Sequence, residues 1–197
     1  MKKLIIIAIL FCTPLAILAQ SEQAEFKGGV GYSTLVGGDA NNLKSTFSWK
    51  AGFGFDYHIV GDFYIQPSLF VVSKGFKNEG YIDPADTANY RGDLHGFYVQ
   101  IPVYLAFRYA FTDNIKFVID GGPYIAYGIS GSKRFFEKKK VGGYICAQRL
   151  DVGLGAEAKL EIDNIVIGAD VTRGLTHVFQ NTKTYNLTYG LIVGIQF

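Results

Sequence analysis

The stretch YVQIPVYLAFRYAF, Tyr98 to Phe111, alternates without a break along its whole length. Val99, Ile101, Val103, Leu105, Phe107, Tyr109 and Phe111 fall on one side, and Tyr98, Gln100, Pro102, Tyr104, Ala106, Arg108 and Ala110 on the other. A period of two with bulky apolar residues on one face is the mark of a strand whose two faces meet different environments. In a soluble sandwich or a lipocalin the apolar face would meet a protein core, whereas in an outer-membrane barrel it would meet lipid. Length separates the two, since soluble strands usually run about 5–6 residues and a tilted strand crossing a bilayer needs about 9–11. This stretch has membrane length.

The pattern recurs. Arg149–Ile162 sets Leu150, Val152, Leu154, Ala156, Ala158, Leu160 and Ile162 against Asp151, Gly153, Gly155, Glu157, Lys159 and Glu161, and Tyr185–Phe197 repeats it at the end of the chain. Weaker alternation occupies Phe26–Val36, Phe47–Ile59, Phe63–Phe76, Ile115–Ser130 and Ile165–His177, giving about eight strands, an even number as single-chain bacterial barrels require. The connections alternate too. Val60–Asp62, Thr112–Asn114 and Asp163–Asn164 are compact turns, while Gly37–Thr46, Lys77–Gly96, Gly131–Gln148 and Val178–Lys183 are longer and polar. Short turns on one side and long loops on the other predict an all-β, eight-stranded antiparallel up-and-down transmembrane barrel, with turns and both termini in the periplasm and loops outside.

The polar faces carry charge together with Gly52, Gly54, Gly122, Gly153, Gly155, Gly168, Gly190 and Gly194. Glycine weakens a solvent-exposed strand. Inside an eight-stranded barrel, only wide enough for side chains to fill, it makes room for large neighbours. Lys50, Asp56, Lys74, Arg108, Lys116, Asp120, Asp151, Glu157, Lys159 and Asp170 are then expected to form an ion-paired interior, because burying unpaired charge is prohibitive. Arg173 breaks the pattern. Strict alternation from Ile165 puts it on the lipid face, which calls for a bulge near Thr172 or a place at the membrane interface.

A composition of 24 Gly, 13 Tyr and 16 Phe in 197 residues favours strands, and a net charge of +2 is too small to suggest nucleic acid as a partner. MKKLIIIAILFCTPLAILAQ places Lys2 and Lys3 before an apolar stretch from Leu4 to Leu18, too short to span a bilayer as a helix, and reads as a signal peptide over residues 1–19 cleaved near Ala19–Gln20. A short periplasmic segment, residues 20–25, would follow, with the barrel over residues 26–197. Cys12 as a lipoprotein anchor would want a small residue where Phe11 stands. Cleavage leaves Cys146 as the mature chain's single cysteine, unable to form an internal disulfide.

Aromatic-x-x-Ile-Pro at Tyr98–Pro102, Gly122-Pro123-Tyr124 in the next strand, and Arg149-x-Asp151-x-Gly153-x-Gly155 together give a chain that resembles the PorT-like outer-membrane barrels typical of Bacteroidota. The likeness runs from about Phe26 to Phe197. It implies an eight-stranded barrel in the outer membrane of a Gram-negative bacterium, and a link to secretion that some members have. The motifs are structural and specify no chemistry.

His58, His95 and His177 are scattered, and neither a metal nor a cofactor is expected. His177, Thr176 and Asp170 could form a loose catalytic set at the outer rim of a lipid-modifying enzyme. In the loop SGSKRFFEKKK, Lys133, Arg134, Lys138, Lys139 and Lys140 surround Phe135 and Phe136, a cluster suited to lipopolysaccharide phosphates. Arg91-Gly92-Asp93 resembles an adhesion tripeptide, though a turn accounts for it equally. The expected role is non-enzymatic: a monomeric barrel in envelope structure, or one that docks a secretion or surface partner through its loops. A lipid-modifying enzyme and a small-solute conduit are the alternatives. Outer-membrane lipids are expected neighbours, and the barrel-assembly machinery a partner during biogenesis.

The last alternation ends on Phe197, which looks like the signal by which that machinery recognises its clients. Deleting Phe197 is expected to lower the folded, heat-modifiable fraction in outer membranes; unchanged levels would remove the residue from this role.

Overall fold

The computed structural model describes residues 23–38, 40, 43–78, 92–131, 147–179 and 183–197. Eight long strands form the wall: β1 (Gln23–Val36), β3 (Thr46–Val60), β4 (Phe63–Asn78), β5 (Gly92–Ala110), β6 (Ile115–Gly131), β7 (Leu150–Ile162), β8 (Ile165–Gly174) and β9 (Tyr185–Gln196). A two-residue piece, β2 (Leu43–Lys44), pairs with the loop end of β4. Each long strand is antiparallel to its neighbours in sequence, and β1 pairs β9 from Glu25↔Gln196 to Val36↔Tyr185. The sheet is therefore a closed barrel without an open edge. No helix among the described residues is long and apolar enough to cross a membrane, so any crossing uses the strands.

The turns follow local chemistry. Gly61 adopts φ 57° between β3 and β4, and Asp163 adopts φ 52° between β7 and β8, a region that Gly enters freely and Asp tolerates. A bulge at Ile59 lets the β3–β4 hairpin close, and a second at Ile129 re-aims the loop end of β6. Prolines remove ladder donors without breaking register. Pro102 and Pro123 lie where pairing lapses for a few residues and then resumes in step.

Alternation along the strands sorts the two faces as expected. On β5, Ile101, Val103, Leu105 and Tyr109 are exposed on the outside while Tyr98, Gln100, Pro102, Tyr104, Ala106 and Arg108 are buried inside. Outward aromatic residues gather near the two ends. Phe26, Phe53, Phe63, Tyr109, Phe111 and Phe197 lie toward the turns; Tyr32, Phe47, Trp49, Tyr127 and Tyr189 lie toward the loops, with aliphatic residues between. Pairs such as Phe26–Phe53 (ring centroids 5.0 Å) and Phe63–Phe107 (5.3 Å) knit the turn-side row, and Trp49–Phe97 (6.0 Å) the loop-side row. An apolar band between two aromatic girdles is how a transmembrane barrel matches a bilayer.

Several boundaries differ from the sequence reading. β1 starts at Gln23, so part of the expected 20–25 segment belongs to the wall: Ala24 and Phe197 exchange backbone hydrogen bonds of 3.0 and 2.9 Å, and Glu25 faces Lys27 inside. β5 starts at Gly92 rather than Tyr98, because Gly92–Gly96 continues the ladder with Lys74–Asn78 of β4. β8 stops at Gly174, where the next residues, Leu175 and Thr176, both turn their N–H groups to the Val152 carbonyl. The expected signal peptide, Cys146, and the basic loop residues Lys133, Arg134, Lys138, Lys139 and Lys140 lie outside the described residues.

Leu105 projects outward between the two aromatic rows. Leu105→Arg is expected to destabilise the barrel by about 2–4 kcal/mol, the cost of a lipid-facing Arg near the midplane. Urea titration in detergent micelles measures this, and an unchanged midpoint would place Leu105 inside. Carbonate extraction of wild-type membranes should leave the protein in the pellet.

Candidate functional site

The interior is filled by three tiers of charge and capped by an apolar cluster. Nearest the turns, Arg108 from β5 lies between Asp56 of β3 and Glu161 of β7. Its Nη2 is hydrogen-bonded to Asp56, and its Nε stands 3.0 Å from a Glu161 oxygen. Tyr64 lies under the guanidinium, 4.3 Å from ring centre to Cζ. Amides complete this tier. Gln66 donates to Asp56 (2.6 Å) and Gln196 donates to Glu161 (2.9 Å).

The middle tier centres on Glu157. Lys27 and Lys50 each donate to it at 2.9 Å, and Lys159 stands 3.7 Å away. Lys50 also reaches Asp170 (3.0 Å), Lys159 reaches Asp120 (2.7 Å), and Lys27 reaches Glu25 (3.4 Å). Phe70 offers its ring face to Lys50 at 5.1 Å and to Lys27 at 5.8 Å, an added cation–π contact. Gln66 links the first two tiers by accepting from Lys159 at 3.1 Å.

The third tier belongs to Lys74 and Asp151, 2.8 Å apart and both buried. Asp151 also accepts from Asn186 (3.0 Å), Tyr124 (3.3 Å) and Thr176 (3.3 Å), while the Tyr124 ring lies 4.4 Å from the ammonium. Above it Leu35, Phe76, Tyr98, Tyr124, Ala126, Ala147 and Val178 pack together, with Ala40, Leu43, Leu94 and Phe179 against them. Phe76 and Phe179 meet edge to face at 6.0 Å. This cluster closes the loop end of the lumen.

Glycine makes the large interior side chains fit. A Cβ on Gly155 would collide with the Tyr104 hydroxyl, and one on Gly153 would stand 2.7 Å from ring carbons of Tyr124. A gap beside Gly29 and Gly190, lined by Ser48, Lys50, Gln100 and Asp170 among others, has room for little more than a water molecule.

Nine of the ten residues expected to pair inside take part in these tiers. Lys116 also faces inward, half-buried near the turns, without a salt bridge to another described residue. Three members were absent from the sequence expectation: Glu25, Lys27 and Glu161. Glu25 precedes the strand start assigned from alternation, and Lys27 sits in a glycine-rich stretch where alternation is faint. Glu161 was recognisable, because it falls on the same face as Glu157 and Lys159.

The histidines are not brought together. His58 contacts the Gly61 carbonyl (2.8 Å) at the turns, His95 lies 3.4 Å from Thr46 Oγ1, and His177 is 3.1 Å from the Tyr185 hydroxyl. The loose set of His177, Thr176 and Asp170 is divided: Thr176 turns to Asp151 and Asp170 to Lys50. Among the described residues, no group of His, Cys, Asp and Glu is arranged to hold a metal ion. Arg173 is exposed on the outer face, and β7–β8 pairing runs in unbroken register from Gly153↔Gly174 to Ile162↔Ile165. There is no bulge at Thr172. Arg173 stands one residue from the loop end of β8, at the rim.

Compared with known families, residues 18–180 match the one described as outer membrane protein beta-barrel domain. The chain belongs to this family. Membership places the barrel in the outer membrane. Among solved structures it is similar to the outer membrane enzyme PagL, with 15% identity, TM-score 0.51, and 87% of this chain and 98% of that one covered. It is also similar to Neisserial surface protein A, with 12% identity, TM-score 0.52, and 88% and 97% covered. At these identities the likeness is one of fold. No curated protein matches the sequence.

As an outer-membrane barrel, the protein keeps its charges in a lumen of low dielectric, where removing one partner strands the other. Glu157→Gln leaves Lys27, Lys50 and Lys159 with Asp120, Asp170 and Glu25 alone. A loss of about 3–5 kcal/mol is expected, read from urea denaturation in micelles. A loss no larger than that of a surface substitution would mean that the lumen is well hydrated.

Proposed function

We propose that this outer-membrane barrel is a non-enzymatic envelope protein, a closed monomeric scaffold that presents its loops to a secretion-associated or surface partner. The observation that carries this reading is the filled lumen. Arg108, Lys50 and Lys74 each hold ion-pair partners from strands across the barrel, and the apolar cap lies above them, so an ion crossing the lumen would have to displace the wall's own contacts. A scaffold of this kind leaves the loops and the outer wall as the surfaces open to partners.

The PorT-like motifs at Tyr98–Pro102, Gly122–Tyr124 and Arg149–Gly155 support the secretion link. Export would use the signal peptide, with cleavage near Ala19–Gln20, and insertion would use the barrel-assembly machinery reading Phe197. The basic residues Lys133, Arg134, Lys138, Lys139 and Lys140 would hold the β6–β7 loop against lipopolysaccharide phosphates, with Phe135 and Phe136 dipping into the acyl boundary.

In planar bilayers the purified protein is expected to leave the baseline conductance unchanged; discrete, reproducible steps would replace the scaffold with a conduit. Incubation with radiolabelled phospholipid tests the other alternative. Turnover that disappears in His177→Ala would make the protein an enzyme. A photocrosslinker placed in the β6–β7 loop should capture a discrete adduct in intact membranes that one at Asp163 does not.

A further inference from the structure

Arg173 ends β8 on the lipid-facing side, between Leu154 of β7 and Leu187 of β9. It makes no salt bridge or hydrogen bond with another described residue. Near the membrane interface a lipid-facing Arg costs only about 0–1 kcal/mol, so the position tolerates the charge without explaining it. Its surroundings are more informative. On the neighbouring strand Tyr185 stands two residues nearer the loops than Leu187, and its hydroxyl is 3.1 Å from His177 Nε2, with the two rings 5.2 Å apart. Lys183 is exposed two residues farther on, next to the buried Thr184. Residues 171–197 contain no Asp or Glu, so Arg173 has no acid within this part of the chain.

We propose that the outer wall of β8 and β9, at the loop-end rim, binds the phosphate of an anionic outer-leaflet lipid. Arg173 is its principal contact. A guanidinium offers two parallel N–H donors to a phosphate, the geometry in which Arg surpasses Lys. Tyr185, held by His177, presents a hydroxyl on the same face and can donate to a second phosphate oxygen while accepting from the imidazole N–H. Leu154 and Leu187 flank Arg173 with apolar surface on which an acyl chain can lie. Charge complementarity selects the occupant: the rim at this depth meets headgroups, and phosphate is their anionic part. The site is separate from the basic β6–β7 loop and needs no protein partner.

The test uses the full mature chain, reconstituted in nanodiscs of phosphatidylcholine containing phosphatidylglycerol, then released and examined by native mass spectrometry for retained lipid. Only the heat-modifiable folded fraction is scored. Arg173→Gln is expected to retain about tenfold less phosphatidylglycerol than wild type, as losing a charge-assisted contact implies. Arg173→Lys should fall between them. Lys77→Gln removes an exposed rim charge from β4, on the opposite wall, and should behave as wild type. Wild-type retention by Arg173→Gln, or equal retention of phosphatidylcholine by the wild type, would overturn the proposal. Should Arg173→Gln fail to fold, Tyr185→Phe carries the test: several-fold weaker retention supports the site and unchanged retention overturns it.

Discussion

A backbone N–H or C=O left unpaired in hydrocarbon costs several kcal/mol, and that constraint governs this molecule. A sheet meets it only by closing. Closure here rests on β1 and β9, paired over Glu25 to Val36 and ended by the reciprocal bonds of Ala24 and Phe197. Once eight strands close, the lumen has a fixed, narrow radius, and the inner residues must share it. Gly153 and Gly155 beside Tyr124 and Tyr104 are the result: large side chains span the lumen where the facing wall has none.

The same closure explains why so much charge lies inside. Inward positions cannot all be apolar, because a strand apolar on both faces loses the alternation that fixes its register. A slip of one residue along β7 would send Glu157 and Lys159 into lipid and Leu160 into the lumen, and the cross-barrel pairs of Asp151, Glu157 and Glu161 would break together. Buried ion pairs add little net stability compared with apolar packing. What they contribute is discrimination: Lys27, Lys50 and Lys159 come from three strands and converge on one carboxylate, a geometry that slipped registers do not reproduce.

The fold was legible because membrane barrels write their geometry into a period of two. Alternation along Tyr98–Phe111 assigned both faces of β5, and the alternating lengths of turns and loops pointed to the topology. Strand ends were less legible. Beyond the bilayer the outer face also meets water, so the Gly92–Gly96 extension of β5 carries no outward apolar stripe, although its ladder with β4 continues and Leu94 packs inward. In β1 the glycines Gly28, Gly29 and Gly31 dilute the pattern, which hid Lys27. Ion-pair membership followed from facing, but partnership did not: which lysine meets which carboxylate depends on the stagger of strands around the barrel, which a single sequence does not display. Thr176 and His177 illustrate the limit. They are adjacent in the chain, yet one turns in to Asp151 and the other meets Tyr185 at the rim.

A lumen committed to its own ion pairs has consequences for where function can lie. Lys74 and Asp151 sit below an apolar cap that excludes the solvent a binding site inside would need. Evolution of new contacts is then confined to the loop ends and the outer wall, where substitutions leave the tiers untouched. Arg173 and Glu161 mark the contrast. Glu161 is held by Arg108 and Gln196, so its charge is consumed within the fold. Arg173 projects from the rim with Leu154 and Leu187 beside it, and its charge is not consumed by an ion pair with another described residue.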